Sequence, residues 1–236
     1  MQLTFEVDPA TARLLAIQSA LIERFGRIIR PDDKRRDPVW TLVQGVIGAL
    51  TKTAVSNAAT DKLLAQFGSW EAVAGASLEE LTQILGRQTF PEQSARRLKA
   101  CLSAIIDQRG AADLRHLSNL DTGEAIAWLE TLPGVARKNA AGVMNTSIFN
   151  RRALVIDSHH RRIMQRIGLV PPKADTARAY DALMPVMPPQ WSAAQIDEHH
   201  LLAKTLGQQI CRPTAPRCGD CPVQAMCDFG QARQGS

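Results

Sequence analysis

The 236-residue chain predicts an all-α fold. Nearly every long segment repeats its apolar residues at helical spacing, no segment reads convincingly as a strand, and only 5% of residues are aromatic. Hydrophobic residues make up 45% and charged residues 22%, which suits a chain with a buried core and excludes wholesale disorder.

Asp8 and Pro9 open a first helix of about sixteen residues with Leu14, Ile17, Leu21 and Phe25 on one face. The run from Arg30 to Pro38 is too charged and proline-bounded for anything but a loop. Apolar spacing then predicts helices over 39–51, 55–67, 78–86, 91–109 and 121–130. The last begins with Asp121 and Glu124 at capping-box spacing. Leu132-Pro133-Gly134-Val135-Ala136 interrupts the pattern, and a helix follows over 137–148. Asp157 sits where it can cap a helix that Gly168 ends. A proline-rich stretch around 171–190 encloses one short helix, and a long helix over 192–209 leads into a cysteine cluster.

The net charge of +5 and sequence pI near 9.2 fit a polyanionic partner. That charge is concentrated. Between Thr131 and Arg166 stand Arg137, Lys138, Arg151, Arg152, Arg161, Arg162 and Arg166 against Asp157 alone, or seven minus one, +6. The N-terminal residues include acids and no long apolar run, so neither a signal peptide nor a membrane span is expected there. A reducing cytoplasm disfavours structural disulfides, so the five cysteines need another explanation.

Four of them form the pattern C-x6-C-x2-C-x5-C at Cys211, Cys218, Cys221 and Cys227. Thiolates in such a loop can hold zinc or an iron–sulfur cluster, and ligand type alone does not decide. Zinc sites usually pair two C-x2-C knuckles, whereas this chain has one. Cys101 lies outside the pattern and is expected to pack as a small apolar residue.

The cysteine spacing and its C-terminal position resemble the [4Fe–4S] loop of endonuclease III-like DNA glycosylases. The segment Leu132-Pro133-Gly134-Val135-Ala136-Arg137-Lys138-Asn139-Ala140 resembles the helix–hairpin–helix of the same superfamily, with Ala136 and Asn139 replacing its second glycine and its threonine. An alanine at a positive φ would be strained, so an altered hairpin is expected. The resemblance can be followed from about Trp40 to Cys227, and it implies two helical lobes. One is a six-helix barrel carrying the hairpin over 31–150, and the other is a cluster domain from 1–30 with 151–236, its cluster loop at 211–227.

The resemblance also implies roles. Lys138 takes the place of the family's catalytic lysine, which attacks the sugar C1′ as a neutral amine that desolvation or a neighbouring cation such as Arg137 would favour. Asp157, nineteen residues later in Val155-Ile156-Asp157-Ser158-His159, matches the catalytic aspartate, and it can cap its helix as well. DNA contacts fall to Gly134, Ala136, Arg137, Leu50, Arg151, Arg152, His159, Arg161, Arg162, Arg212 and Arg217. For His160, His199 and His200, packing or helix-surface roles are favoured over a zinc site. Leu50 stands where the family usually carries a glutamine that fills the flipped-out gap, and the loop from Gly86 to Glu92 is longer than usual. Both departures point to a divergent member whose lesion differs from the oxidised pyrimidine typical of endonuclease III.

The expected activity is base excision with apurinic/apyrimidinic-site lyase cleavage, by a monomer that meets damaged or abasic duplex DNA at the nucleoid. Two alternatives stay open: a water-using glycosylase acting through Asp157, and a non-catalytic DNA-binding iron–sulfur protein.

Overall fold

The computed structural model describes residues 8–233. In chain order its helices are α1 (Pro9–Phe25), α2 (Pro38–Ile47), α3 (Thr53–Phe67), α4 (Trp70–Gly75), α5 (Leu78–Ile84), α6 (Pro91–Arg109), α7 (Thr122–Glu130), α8 (Arg137–Thr146), α9 (Ser158–Ile167), α10 (Thr176–Leu183), α11 (Ala193–Gln209) and α12 (Asp228–Ala232). Short 3₁₀ turns join several of them, and an isolated bridge between Arg36 and Ser147 is the only strand-like pairing among the described residues. The all-α expectation holds. The chain divides into two compact units, one from Asp32 to Arg151 and one combining the chain through Pro31 with Arg152 onward.

In the continuous unit, α2 packs on α3, α6 and α8, while α4 and α5 lie against α6 and α7 against α8. Leu42, Ile47, Leu63, Leu81, Leu98, Leu102 and Ile105 are wholly buried there, each burial being worth about 2 kcal/mol. Asp37 caps α2 through the Val39 and Trp40 N–H groups, and the Asp121–Glu124 capping box forms as the sequence predicts. Helix α4, held by Ser69 accepting from the Ala72 N–H, has no counterpart in the sequence reading, because six residues are too few to display a period. Helix α2 also stops at Ile47, short of the predicted end. The crossing of α2 and α8 is close. A Cβ on Gly45 would come within 3.1 Å of Asn139 Oδ1, so the asparagine that departs from the family pattern serves as packing against α2.

In the discontinuous unit, α11 packs on α1 and α9, and α12 packs on α9. Leu14, Ile17 and Leu21 of α1 are buried with Ile163, Met164 and Ile167 of α9 and Leu202 and Leu206 of α11. Gly207 permits the α9–α11 approach, since a Cβ there would lie 2.7 Å from the His159 Cβ. Arg13 of α1 donates to the carbonyls of Ile167 and Met226 and to Asp228, tying the N-terminal helix to the C-terminal loop. Two carboxylates of α11 that are 1% exposed each meet an arginine, Asp197 with Arg30 at 2.9 Å and Glu198 with Arg27 at 2.8 Å.

Candidate active site and cysteine loop

The hairpin in the continuous unit is built by one backbone requirement. Gly134 has φ +78°, in the left-handed region that favours glycine, and the Val135 N–H closes the turn on the Leu132 carbonyl at 3.1 Å. Ala136 is different. Its φ of −120° and ψ of 171° are extended, so the strain expected of an alanine here does not arise, and the hairpin accepts the substitution. Ala136 is the N-cap of α8 and offers no capping side chain, which leaves the positive end of a ten-residue helix facing outward from the turn. Lys138 is half-buried in the first turn of that helix. Arg137 is not the uncompensated cation the sequence suggests, because its Nε donates to Glu130 Oε1 at 2.9 Å in a largely shielded pair.

Two loops of this unit are stitched together. Thr51 and Thr89 share a hydrogen bond at 3.1 Å between hydroxyls, the Thr89 N–H donates to Thr51 Oγ1 at 3.0 Å, and the Thr89 hydroxyl donates to the Leu50 carbonyl at 2.8 Å. Leu50 rides on this tie at φ +54° with 85% of its surface exposed. A leucine held left-handed and in water is doubly unfavourable for the free protein, as expected of a side chain kept for contact with something else.

In the discontinuous unit, Asp157 caps α9, its Oδ1 accepting the His160 N–H at 2.9 Å. Burial would raise its carboxyl pKa, but His200, the His160 N–H, the His160 ring and His159 together hold it below the usual value. His160 and His199 are fully buried and His200 nearly so, with the His160 ring centroid 5.2 Å and 5.7 Å from the other two. The three rings thus pack against one another inside this unit.

The cysteine loop begins as α11 ends. Cys211, Cys218, Cys221 and Cys227 all line one small apolar cavity, together with Ile210 and Phe229. Arg166 Nη1 donates to Cys211 Sγ at 3.2 Å and the Gly230 N–H to Cys227 Sγ at 3.4 Å, the kind of donor that stabilises thiolate charge. Burial, with the neighbouring thiols adding to it, pushes Cys221 up to about 11. Among the described residues no group of three or more His, Cys, Asp or Glu side chains is disposed to hold a metal ion. Cys101 is buried in α6 and pushed up to about 12 by burial, so it behaves as a small apolar residue.

The predicted arginine contacts need revision. Arg151 donates to the Ser118 and Leu120 carbonyls, Arg152 to the carbonyls of Pro188, Pro189 and Trp191, and Arg162 to those of Gly207 and Cys211. These guanidinium groups tie chain segments together before any phosphate arrives, which a charge count cannot reveal. Arg217 donates to the Gln209 carbonyl and lies 3.6 Å from Asp220, while Arg161 is half-buried and Arg212 exposed. His159 lies 3.3 Å from Arg162 through its Nδ1. Arg166, which the sequence reading left without a role, touches the cysteine loop directly. Its i+4 spacing from Arg162 was the available cue.

Residues 43–189 match the HhH-GPD superfamily of base excision DNA repair proteins. The chain belongs to that superfamily. It is a DNA glycosylase of base excision repair. Endonuclease III of Bacillus subtilis (strain 168) is 28% identical over 198 residues, 84% of each chain, and that of Thermotoga maritima is 25% identical over 213 residues, 90% of this chain and 91% of its own. Among solved structures, a trapped endonuclease III–DNA covalent intermediate shares the fold at a TM-score of 0.73 and 22% identity, covering 95% of this chain and 98% of that one. A thermostable thymine-DNA glycosylase shares it at 0.72 and 17% identity, covering 94% and 97%. HhH-GPD membership makes DNA the partner of this chain, and among the described residues no helix is long and apolar enough to cross a membrane.

Proposed function

We propose that this glycosylase excises a damaged or mismatched base with Lys138 as its nucleophile and then cleaves the abasic strand. The observation that carries the reading is the placement of Lys138 in the uncapped first turn of α8, directly after the Gly134 turn. Backbone N–H groups at such a terminus hold a DNA phosphate, with Gly134, Ala136 and Arg137 forming the turn that approaches it. The neutral Lys138 amine forms a bond to C1′ as the bond from C1′ to the base breaks, and the base departs with the electron pair and takes up a proton. Ring opening gives a Schiff base, whose β-elimination gives up a C2′ proton to a base as the C3′–O bond breaks, so the strand on the 3′ side departs with the electron pair on its 5′ phosphate. Asp157, held ionised, favours the cationic sugar as the glycosidic bond stretches.

The four loop cysteines would hold a [4Fe–4S] cluster, which supplies loop closure and local electrostatics when bound. The protein is read as a monomer acting on chromosomal DNA in the cytoplasm.

The test is a panel of duplexes carrying one uracil, thymine glycol, 8-oxoguanine, G·T mismatch or abasic site. Wild-type protein should nick the abasic duplex 3′ to the site without added alkali. Base release with strands that break only in alkali would favour water activated by Asp157. Tight binding without either reaction would favour a DNA-binding role.

Leu50 gives a separable expectation. Leu50→Gly should raise stability by up to about 1 kcal/mol by relieving the left-handed backbone, yet slow excision by removing the side chain that fills the flipped-out gap. Thermal melts and single-turnover rates on the same preparation check both signs. Discrimination by the opposite base should be weak in the wild type and sharpen in Leu50→Gln, since reading a base edge takes hydrogen bonds.

The arginines separate likewise. Neutralising Arg161 or Arg212 should lower the salt slope of DNA binding by about 0.9 per charge removed. Arg152→Ala should instead lower the melting temperature, because its guanidinium bridges the carbonyls of Pro188 and Trp191. An unchanged slope in the Arg161, Arg212 double variant would move the DNA face elsewhere.

A further inference from the structure

Three histidines are buried beneath Asp157, and the reaction described so far uses none of them. Burying an imidazole is costly where a leucine would fill the same space, so three together call for a reason. His160 engages the Asp157 segment twice. Its backbone N–H donates to Asp157 Oδ1 at 2.9 Å, and its ring Nδ1 lies 3.3 Å from the Val155 carbonyl. One residue thus grips the carboxylate and the backbone two residues before it.

The ring itself is clamped. It stacks on His200 at 5.7 Å with planes 29° apart and meets His199 edge-on at 5.2 Å. His199 in turn lies 5.3 Å from the Trp191 ring, and its Nδ1 is 2.8 Å from Gln18 Oε1 of α1. Gln18 continues to Glu198, whose carboxylate pairs with Arg27. The charged and titratable groups around the ring are therefore Asp157 and His159 on α9 and His199, His200 and Glu198 on α11, with α1 presenting the neutral Gln18.

We propose that His160, clamped by His199 and His200, is a positioning residue that holds the Asp157 carboxylate in its working orientation. A carbonyl at Val155 can only accept, so ring Nδ1 carries the proton and Nε2 keeps its lone pair. That Nε2 and the corresponding atom of His199 are both buried without a hydrogen-bond partner. Burial keeps the ring neutral at working pH, pushed down to about 4. Neutrality matters. A neutral ring adds no positive charge of its own beside Asp157, while its hold on the Val155 carbonyl fixes the backbone from which the carboxylate projects.

The inference rests on Asp157 acting in excision, so the experiment separates the two. Wild type, Asp157→Asn, His160→Leu and His160→Asn are compared on whichever lesion duplex of the panel the wild type processes fastest. His160→Leu should lower the single-turnover excision rate on the order of tenfold to a hundredfold, as a displaced reacting group does, while affinity for the same duplex and iron content stay at wild-type values. His160→Asn, whose amide N–H takes the place of the ring Nδ1–H facing the Val155 carbonyl, should recover most of the rate. A folded, iron-replete His160→Leu at wild-type rate overturns the proposal, and so do Leu and Asn variants that are equally slow, which would mean packing alone. Should His160→Leu fail to fold, nitrogen NMR of the wild-type histidines decides, with a neutral His160 protonated at Nδ1 expected at neutral pH and a cation or the opposite tautomer contradicting it. Wild-type excision by Asp157→Asn removes the underlying reading of the aspartate. A slow Asp157→Asn beside a normal His160→Leu removes the inference alone.

Discussion

A Cys218→Ala protein should purify colourless and with its discontinuous unit largely unfolded, while the wild type is straw-brown from iron–sulfur absorbance. The loop after α11 has little core of its own. Ile210, Val223 and Cys227 are its buried apolar side chains, and Cys211, Cys221 and Met226 pack only partly against the core. Closure by the proposed cluster would supply what packing does not. Structural metal loops draw roughly 10 kcal/mol of folding energy from coordination, so loss of one ligand should be visible in any melt. Cys101→Ala is the control. It should keep colour and iron and cost on the order of 1 kcal/mol, since it removes a small buried group from α6. Iron and zinc analysis with circular dichroism checks both variants. One zinc and no iron in the wild type would contradict the cluster.

The second large effect belongs to Lys138. Lys138→Gln should lower strand cleavage at an abasic site by roughly a thousandfold or more, the scale on which removal of a nucleophile acts. Glutamine retains most of the length and polarity, and the buried Ala140, Ala141, Val143 and Met144 anchor α8. Binding to the abasic duplex should therefore persist. Rates at saturating protein alongside gel-shift affinities separate chemistry from binding.

Much of this was legible in the sequence because the features are local. The cysteine ligands sit within one loop, so their spacing survives as a pattern. Asp157 is three residues from the N–H it caps, and the Asp121–Glu124 box likewise lies within one turn. Errors came where local pattern and three-dimensional environment part. The apolar run Ile47-Gly48-Ala49-Leu50 continues the helical spacing of α2, yet the chain leaves the helix at Gly48 and turns Leu50 outward into a left-handed conformation. Ala136 was read as strained by analogy with a glycine, although its backbone is extended. Arg151 and Arg152 counted as free positive charge, but their partners are carbonyls about thirty residues or more away along the chain, at Leu120 and at Pro189. The His160, His199 and His200 cluster joins two helices distant in sequence, and nothing in either helix alone announces it.

Covalent trapping tests the central claim most directly. Wild-type protein incubated with an abasic duplex and sodium borohydride should yield a reduced protein–DNA adduct, because hydride converts the Schiff base to a stable amine. Peptide mapping should place the attachment on Lys138, and Lys138→Gln should give no adduct while still binding the duplex. An adduct that persists in Lys138→Gln, or one that maps to another amine, would contradict Lys138 as the nucleophile.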